Sequence, residues 1–258
     1  MDLRGFRAAM ATAGWFKVDG NLAPELLAGL RADLIRAHRV CREVQVRNGL
    51  GEVTDGTVHH IIGLGDHFLW MLEELPIWAH VDDYFRGRSI LNSFGGVVHL
   101  AGTPTYLGRV HRDIRTFSGS FPLMMNVLVM LDAFTAENGA TYLLEGSHLR
   151  PDRPGDEAFF RDAVRAVGPA GTVVLFNSNL WHAAGQSRTG EPRRALTLTL
   201  TPPYLKQQCD YPRMLGYDQA ARFSSRLRQL LGYNARTPVG LEEWYQPPEK
   251  RFYQRDQV

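Results

Sequence analysis

Histidine and aspartate residues supply the first candidates for chemistry in this sequence. Two of its nine histidines stand two residues before an aspartate, in His80-Val81-Asp82 and in His111-Arg112-Asp113. Residues i and i+2 point in nearly opposite directions on a helix but to the same face of a strand. His80 lies in a segment with helical periodicity and is predicted to be structural. His111 and Asp113 lie in a β-rich region, where the two side chains can share one face and bind one ion.

A metal ion needs at least one more ligand than His111 and Asp113 provide. His182 is the best candidate, because it follows a β-rich run and lies 71 residues further along the chain. Two imidazoles and one carboxylate that leave the other positions open form the facial triad of non-haem Fe(II) oxygenases. The same three ligands can also hold zinc. The remaining interpretation is that both histidines are hydrogen-bonded structural residues.

Arg193 stands eleven residues after His182, at the start of a run that alternates small and apolar side chains. In a strand, Arg193, Ala195, Thr197 and Thr199 share one face, while leucines occupy the other. This pattern is typical of a strand that lines a polar pocket, and an arginine at the entrance offers a rigid fork for a carboxylate. A solvent-facing edge strand with a surface arginine is the alternative.

The segments that must position these residues are mostly short and β-rich. Such runs, separated by turn signals, extend over 89–94, 97–100, 123–131, 141–144, 172–176 and 194–201. Gly95-Gly96 is predicted to break the first two runs, and Asn138-Gly139 is a strong signal for a hairpin between strands. Short strands at this spacing predict a sandwich or barrel, with a core over about residues 89–201.

Helices are predicted on both sides of the β region and within it. A short strand at 15–18 precedes a helix that begins near Pro24, and the helices that follow are predicted over 76–85, 156–167 and 218–232. Leucines at helical spacing support the helix near Pro24. The aromatic segment from Trp244 to Tyr253 is predicted to pack on the β core.

The segment 45–66 has no clear periodicity and is predicted to be a long loop. His59 and His60 could contact substrate there, but the favoured interpretation is that they are exposed loop histidines. Long loops are usually functional or mobile. From their irregular composition, rich in glycine, tyrosine and charged residues, we expect 46–66 and 207–213 to act as lids over a bound substrate.

Length and composition agree with a single globular domain. The chain has 258 residues, 44% of them hydrophobic and 22% charged, and 29 basic against 27 acidic residues give a net charge of +2. This balance indicates neither a nucleic acid nor a membrane surface as partner. Two cysteines are too few for a zinc module or a disulfide scaffold. With neither a signal peptide nor a membrane span visible, we expect a cytoplasmic protein.

Five motifs in one order resemble the phytanoyl-CoA dioxygenase family. They are His111-x-Asp113, Asn138-Gly139-Ala140-Thr141 leading to Gly146-Ser147-His148, Trp181-His182, Arg193, and the stretch from Leu231-Gly232-Tyr233 to Glu243-Trp244-Tyr245. The resemblance extends from about Gly14 to Tyr253. It implies one domain over 1–258, mainly β, with a double-stranded β-helix core (a cupin-like jelly roll) and helices outside.

The resemblance implies a role for each residue of the predicted metal site. His111, Asp113 and His182 would hold Fe(II), and Arg193 would pair with the distal carboxylate of the cosubstrate 2-oxoglutarate. Family members that halogenate their substrates lack the metal-binding carboxylate, so the presence of Asp113 favours hydroxylation.

Further residues are implied at the cosubstrate and at the substrate. Asn92 matches a position near the cosubstrate. Many family members have a hydroxyl residue at the position of Ala184. In this sequence the second partner of the distal carboxylate therefore falls to Thr197 or Thr141. We expect three residues that precede the metal motif to line the mouth of the site and to contact substrate: His99, Tyr106 and Arg109.

The reaction implied by the resemblance uses Fe(II), 2-oxoglutarate and O2, hydroxylates an unactivated C–H bond of a small organic substrate, and releases succinate and CO2. Two alternatives stay open. One is a metal-dependent cupin-type enzyme that does not use 2-oxoglutarate, and the other is a non-catalytic barrel that binds a small molecule. The sequence indicates neither the identity of the substrate nor the oligomeric state.

Overall fold

The structure is a computed structural model that describes residues 2–51, 54–99 and 106–251. In this part of the chain the strands are β1 (Trp15–Asp19), β2 (Thr57–His59), β3 (Ile90–His99), β4 (Met125–Met130), β5 (Tyr142–Leu143), β6 (Val164–Arg165), β7 (Thr172–Asn177), β8 (His182–Ala183) and β9 (Arg193–Thr201). The α-helices are α1 (Leu3–Thr12), α2 (Pro24–Arg47), α3 (Asp66–Glu74), α4 (Trp78–Phe85), α5 (Asp156–Asp162), α6 (Tyr211–Leu215), α7 (Ser225–Leu231) and α8 (Leu241–Trp244).

The strands form two antiparallel sheets. The larger sheet has the order β1-β7-β4-β9-β3-β2, and the smaller one has the order β6-β5-β8. β4 and β7 are buried almost throughout and are rich in valine and leucine, as expected of central strands covered on both faces. Helices cover the larger sheet from outside, and α2 contributes Leu26, Leu30 and Leu34 to the core. The architecture is therefore antiparallel sheet with helices outside, as predicted.

The glycine pair Gly95-Gly96 does not break the sheet, in contrast to our prediction. β3 passes through both residues and pairs with β9 on either side of them. A Cβ on Gly96 would come within 2.5 Å of Leu34 Cδ1, and one on Gly95 within 2.5 Å of the Val58 carbonyl oxygen. The two glycines therefore let α2 and β2 approach the strand closely, which is a second common use of glycine in strands.

The long loop predicted over 45–66 is wrong in its centre. α2 continues to Arg47, and residues 57–59 form β2, which pairs with β3 at the edge of the larger sheet. Ile61 and Ile62 are completely buried in the core. The predicted lid is therefore wrong for 57–62, because these residues belong to the sheet and the core. In the second predicted lid, Tyr211 is likewise fully buried.

Several helix and turn boundaries differ from the prediction. The helix expected over 156–167 ends at Asp162 and is followed by β6, and the helix expected over 218–232 divides into a 3-10 segment and α7. Asn138-Gly139 is not a hairpin between adjacent strands, since β4 and β5 belong to different sheets. The strand at 15–18 and the helix start at Pro24 are confirmed. The helices α1 and α3 were not predicted.

The C-terminal aromatic segment does not pack on the β core where the structure describes it. Trp244 is 63% exposed and Tyr245 is 77% exposed. Tyr253, the predicted end of this segment, lies outside the described residues. Among the helices of the described ranges, none is both long enough and apolar enough to cross a bilayer.

Candidate metal centre

His111, Asp113 and His182 meet at the edge of the smaller sheet. His111 extends this sheet beyond β8, because its N–H donates to the His182 carbonyl (3.0 Å) and its carbonyl accepts from the His182 N–H (2.9 Å). Directly opposite residues of an antiparallel pair carry their side chains on the same face. His111 Nε2 lies 3.7 Å from Asp113 Oδ1, and His182 Nε2 lies 3.7 Å from Asp113 Oδ2. One ligand atom from each residue lies within 4.8 Å of the other two.

Backbone carbonyls fix the tautomer of both imidazoles. His111 Nδ1 donates to the Arg109 carbonyl (2.7 Å), and His182 Nδ1 donates to the Leu180 carbonyl (3.0 Å). Since a carbonyl can only accept, each Nδ1 carries the proton and each Nε2 presents a lone pair towards Asp113. Burial also lowers the pKa of His182, against the opposing effect of Asp113, and so favours the neutral imidazole that binds metals.

The carboxylate of Asp113 is held by a buried amide that we did not predict. Asn126 Nδ2 donates to Asp113 Oδ2, and Asn126 Oδ1 accepts from Ser178 Oγ at 3.1 Å. Asn126 lies on β4 and is 3% exposed. The available signal was a single amide in an otherwise apolar strand, because a buried polar side chain requires partners.

A cavity of about 290 Å³ adjoins the three candidate ligands. The face of β9 that was predicted to line a polar pocket does so, with Ala195, Thr197 and Thr199 in the cavity wall. Leu196 and Leu200, on the opposite face, are completely buried in the core. The period-two pattern of this strand therefore predicted the cavity face, although Leu198 of the opposite face also contributes to the wall.

Arg193 lines the same cavity and is 3% exposed. Its guanidinium lies over the ring of Phe134, with Cζ 4.2 Å from the ring centroid. Its Nε and Nη1 atoms have no hydrogen-bond partner in the described part of the chain. Burial lowers the pKa of Arg193 to about 10, so the side chain keeps its charge at neutral pH. A buried unpaired cation is costly, and the arrangement fits a site for an anionic group of a ligand.

Thr141 and Ala184 both follow the last residue pair of the two central strands of the smaller sheet. Tyr142 of β5 pairs with Ala183 of β8, and Thr141 and Ala184 are the next residues outward, just beyond the ends of these strands. Both line the cavity. A hydroxyl that Ala184 lacks is thus present on Thr141, next to the same end of the strand pair.

Two of the predicted site residues lie elsewhere. Asn92 is the extra residue of a β-bulge in β3, between Leu91 and Ser93, and its Nδ2 donates to the Lys206 carbonyl at 2.9 Å. It does not line the cavity, whereas its neighbour Ser93 does. Arg109 is exposed and is not part of the cavity wall. Its contribution is the backbone carbonyl that orients His111.

His99 also differs from its predicted position at the mouth. It lies opposite Arg193 in the β3–β9 register, is 6% exposed, and is not among the residues that line the cavity. Burial, together with the charge of Arg193, lowers the pKa of its imidazole. His80 is buried on α4 between two phenylalanine rings, as expected of a structural histidine.

Tyr106 and His59 both line the cavity. Tyr106 was predicted at this site, whereas His59 was expected to be an exposed loop residue. The side chain of His59 is exposed, yet its Nε2 lies 3.2 Å from the Tyr106 hydroxyl. His59 was missed because β2 is only three residues long, too short for a periodic signal in the sequence.

Comparison with known proteins gives one family. The sequence profile described as "Phytanoyl-CoA dioxygenase (PhyH)" matches residues 80–195. The uncharacterized protein Mb1539 of Mycobacterium bovis is 30% identical over 255 residues, covering 96% of this chain and 93% of the relative. The iron/alpha-ketoglutarate-dependent dioxygenase penM of Penicillium thymicola is 41% identical over 117 residues, covering 41% of this chain and 36% of the relative.

A solved structure supports the fold. HygX from Streptomyces hygroscopicus, crystallised with nickel and 2-oxoglutarate bound, superimposes with a TM-score of 0.58 at 14% sequence identity. The match covers 81% of this chain and 90% of HygX. At this identity the likeness concerns the fold alone.

Proposed function

Since this chain belongs to the phytanoyl-CoA dioxygenase family, we propose that it hydroxylates an unactivated C–H bond of a small organic substrate. It is an Fe(II)- and 2-oxoglutarate-dependent dioxygenase. When bound, iron and 2-oxoglutarate supply the oxidation of the C–H bond by O2, with conversion of 2-oxoglutarate to succinate and CO2. The chain's own residues provide the ligands, the cosubstrate anchor and a cavity that places the substrate.

The proposed ligands of Fe(II) are His111, Asp113 and His182. Two neutral imidazoles and one carboxylate suit a divalent iron and leave its other positions open. Zinc accepts the same ligands, so the choice of metal depends on the rest of the cavity. Asp113 occupies the position of the third ligand, which favours hydroxylation over halogenation.

The single observation that carries the proposal is Arg193. It is a buried guanidinium with two nitrogens unpaired within the described residues, and it lies in the wall of the cavity that also contains the three ligands. A dicarboxylate that chelates the metal through its oxo-acid end needs a cation for its other end. A zinc hydrolase or a simple binding barrel has no comparable need for this residue.

We assign Thr141 as the second partner of the distal carboxylate. It lies just beyond the same end of the β5–β8 pair as Ala184 and presents a hydroxyl to the cavity. Thr197 also lines the cavity, but its Cα lies four residues along β9 from that of Arg193, about 13 Å away. We therefore assign Thr197 to the substrate side of the cavity and Thr141 to the carboxylate.

We further infer that the two antiparallel sheets are the halves of a double-stranded β-helix in one domain over 1–258. The core predicted over about 89–201 is extended by two strands that precede it, because β1 and β2 form the two edges of the larger sheet. The extension matters for the site, since β2 carries His59.

The test is succinate release by the purified protein supplied with Fe(II), 2-oxoglutarate and air. We expect slow succinate release without a substrate. His182→Ala and Asp113→Ala should abolish this release, and both should also lose metal binding, which calorimetry measures. Unchanged succinate release in Arg193→Met would show that another residue anchors 2-oxoglutarate. Metal binding without any succinate release would favour a metal-dependent reaction that does not use 2-oxoglutarate. Absence of both metal binding and succinate would favour the non-catalytic barrel.

A further inference from the structure

His59 and Tyr106 form a polar pair in the wall of the cavity, apart from the metal ligands. The His59 Nε2 atom and the Tyr106 hydroxyl are 3.2 Å apart, and both side chains line the cavity. A neutral imidazole and a phenol can each donate and accept a hydrogen bond. Thr57 is a further partner of the Tyr106 hydroxyl. A guest therefore accepts from the phenol in place of Thr57, or donates to a free acceptor of the pair.

The fold holds His59 in place through its backbone. His59 pairs with Gly95 in the β2–β3 register. The next residue, His60, has a φ of 57°, in the left-handed region that non-glycine residues rarely adopt. Its ring Nδ1 lies 3.0 Å from the hydroxyl of the buried Tyr211. This turn directs His59 to the cavity while Ile61 enters the core, and strain of this kind is concentrated at functional sites.

Tyr106 is anchored to the strand that carries a metal ligand. It begins a 3-10 segment whose Leu107 carbonyl accepts from the Ala184 N–H at 2.8 Å, next to β8. Burial raises the pKa of the Tyr106 phenol, and the nearby Asp113 carboxylate raises it further. The phenol is therefore protonated at neutral pH and lies close enough to the metal site to sense its carboxylate.

The cavity offers no counter-charge for a charged substrate among the described residues. Its other ionisable side chains are committed under the proposed function: three to the metal and Arg193 to 2-oxoglutarate. Although His59 is partly open to solvent, desolvation by the surrounding wall lowers the pKa of its imidazole, which favours the neutral form. The rest of the wall is uncharged: it combines apolar residues such as Leu107, Met124 and Phe176 with polar ones such as Ser93, Thr199 and Gln208.

We propose that His59 and Tyr106 are the substrate-orienting pair, and that they bind a hydroxyl or carbonyl oxygen of a small, uncharged, mainly apolar molecule. This inference rests on the proposed function, because it counts four ionisable groups as occupied by metal and cosubstrate. A volume of about 290 Å³, shared with 2-oxoglutarate, lies at the lower end of the range for small-molecule sites. It leaves no room for a large polyanionic carrier inside the cavity.

The experiment measures binding to the full chain loaded with Ni(II), which replaces Fe(II) without redox chemistry, and with 2-oxoglutarate. The probes are matched sets on one carbon skeleton: cyclohexylmethanol, cyclohexyl methyl ketone, cyclohexanecarboxylate and cyclohexylmethylamine, followed by their bicyclic counterparts. Ligand-observed NMR gives each Kd. We expect the alcohol and ketone of at least one skeleton to bind at least tenfold more tightly than the acid and the amine.

Variants assign the preference to the pair. Tyr106→Phe and His59→Ala are each expected to raise the Kd of the neutral probes threefold to tenfold. Tyr233→Phe is the matched control, because its hydroxyl donates to the Gly216 carbonyl at 2.8 Å, away from the cavity. Calorimetric titration with 2-oxoglutarate in the same samples reports whether the cosubstrate site is intact.

Three results would overturn the inference: equal or tighter binding of the charged probes, undiminished binding in both pair variants, or no binding of any neutral probe. Failure of the proposed function looks different, since the wild-type protein would then show no metal-dependent binding of 2-oxoglutarate at all.

Discussion

The side-chain amide of Asn126 joins the Asp113 carboxylate to Ser178, so the acidic member of the metal site is fixed from behind by a buried hydrogen-bonded chain. A carboxylate that accepts such a bond loses rotational freedom, and the ligand atom is presented to the metal at a lower entropic cost. Partners of this kind typically change metal affinity or activity by about 10–100-fold when removed.

Asn126→Leu is therefore expected to weaken Fe(II) or Co(II) binding by about 10–100-fold, as measured by anaerobic titration. Asn92→Ala is the control, because this amide is about equally buried on β3 of the same sheet but donates to the Lys206 carbonyl. Both variants lose a buried hydrogen bond and some stability, yet only Asn126→Leu should lose metal affinity. An equal loss of metal affinity in both variants would show that Asn126 has only a structural role.

Arg193→Met is expected to stabilise the metal-free protein while it removes 2-oxoglutarate binding. The pKa of Arg193 is lowered to about 10 by burial, so below pH 10 the folded state bears the full cost of a buried charge. Removing that charge at pH 7.5 should raise the unfolding free energy by roughly 1–3 kcal/mol in urea titrations. Arg193→Lys keeps the charge and should show no such gain. A destabilised Arg193→Met protein would contradict the prediction.

His80→Phe is expected to reduce the loss of stability in acid. His80 packs 5.0 Å from the Phe6 ring and 5.6 Å from the Phe16 ring, and both of its ring nitrogens lack partners within the described residues. Burial lowers its pKa, although Asp83 and Asp2 partly oppose this effect.

The unfolded chain protonates this histidine near its usual pKa of about 6.5, whereas the folded protein does so only at lower pH. Stability therefore falls as the pH drops below about 6.5 and levels off below the folded pKa. The substitution should raise the free energy of unfolding more at pH 5 than at pH 8, as measured by urea titration at the two pH values. An identical gain at both values would mean that protonation of His80 does not contribute.

Two of the candidate metal ligands were accessible from the sequence because they stand only two residues apart. His111 forms an isolated bridge and Asp113 lies at a bend, so the segment is not a regular strand, yet both side chains reach the same site. Strand alternation also identified the face of β9 that lines the cavity. The pairing of His111 with His182 is a contact between distant segments. It followed from the ligand count and the family resemblance, not from periodicity.

The residues that were missed depend on tertiary context. The bulge at Asn92 shifts the alternation of β3 by one residue, and no residue type in the sequence marks it. Gly95-Gly96 indicates a turn by composition, but here it admits a neighbouring helix and strand. His59 reaches the cavity only because a three-residue strand finds a partner in β3. Each of these features is determined by packing across the sheet.

The positions of Thr141 and Ala184 at the same end of the β5–β8 pair allow a test in which the hydroxyl is moved from one residue to the other. Thr141→Val keeps the shape of the side chain and removes its hydroxyl, so we expect the KM for 2-oxoglutarate to rise about tenfold, the usual effect of losing one hydrogen bond to a charged group. Because the two residues lie at the same end of the strand pair, Ala184→Ser should restore much of the affinity in the Thr141→Val background.

Thr197→Val, on the same cavity wall but about 13 Å along the strand from Arg193, is the matched control and should leave this KM within twofold. Succinate release against 2-oxoglutarate concentration measures all four proteins. A rise in KM for Thr197→Val, or a double variant no better than Thr141→Val, would show that the anchoring hydroxyl lies elsewhere in the cavity.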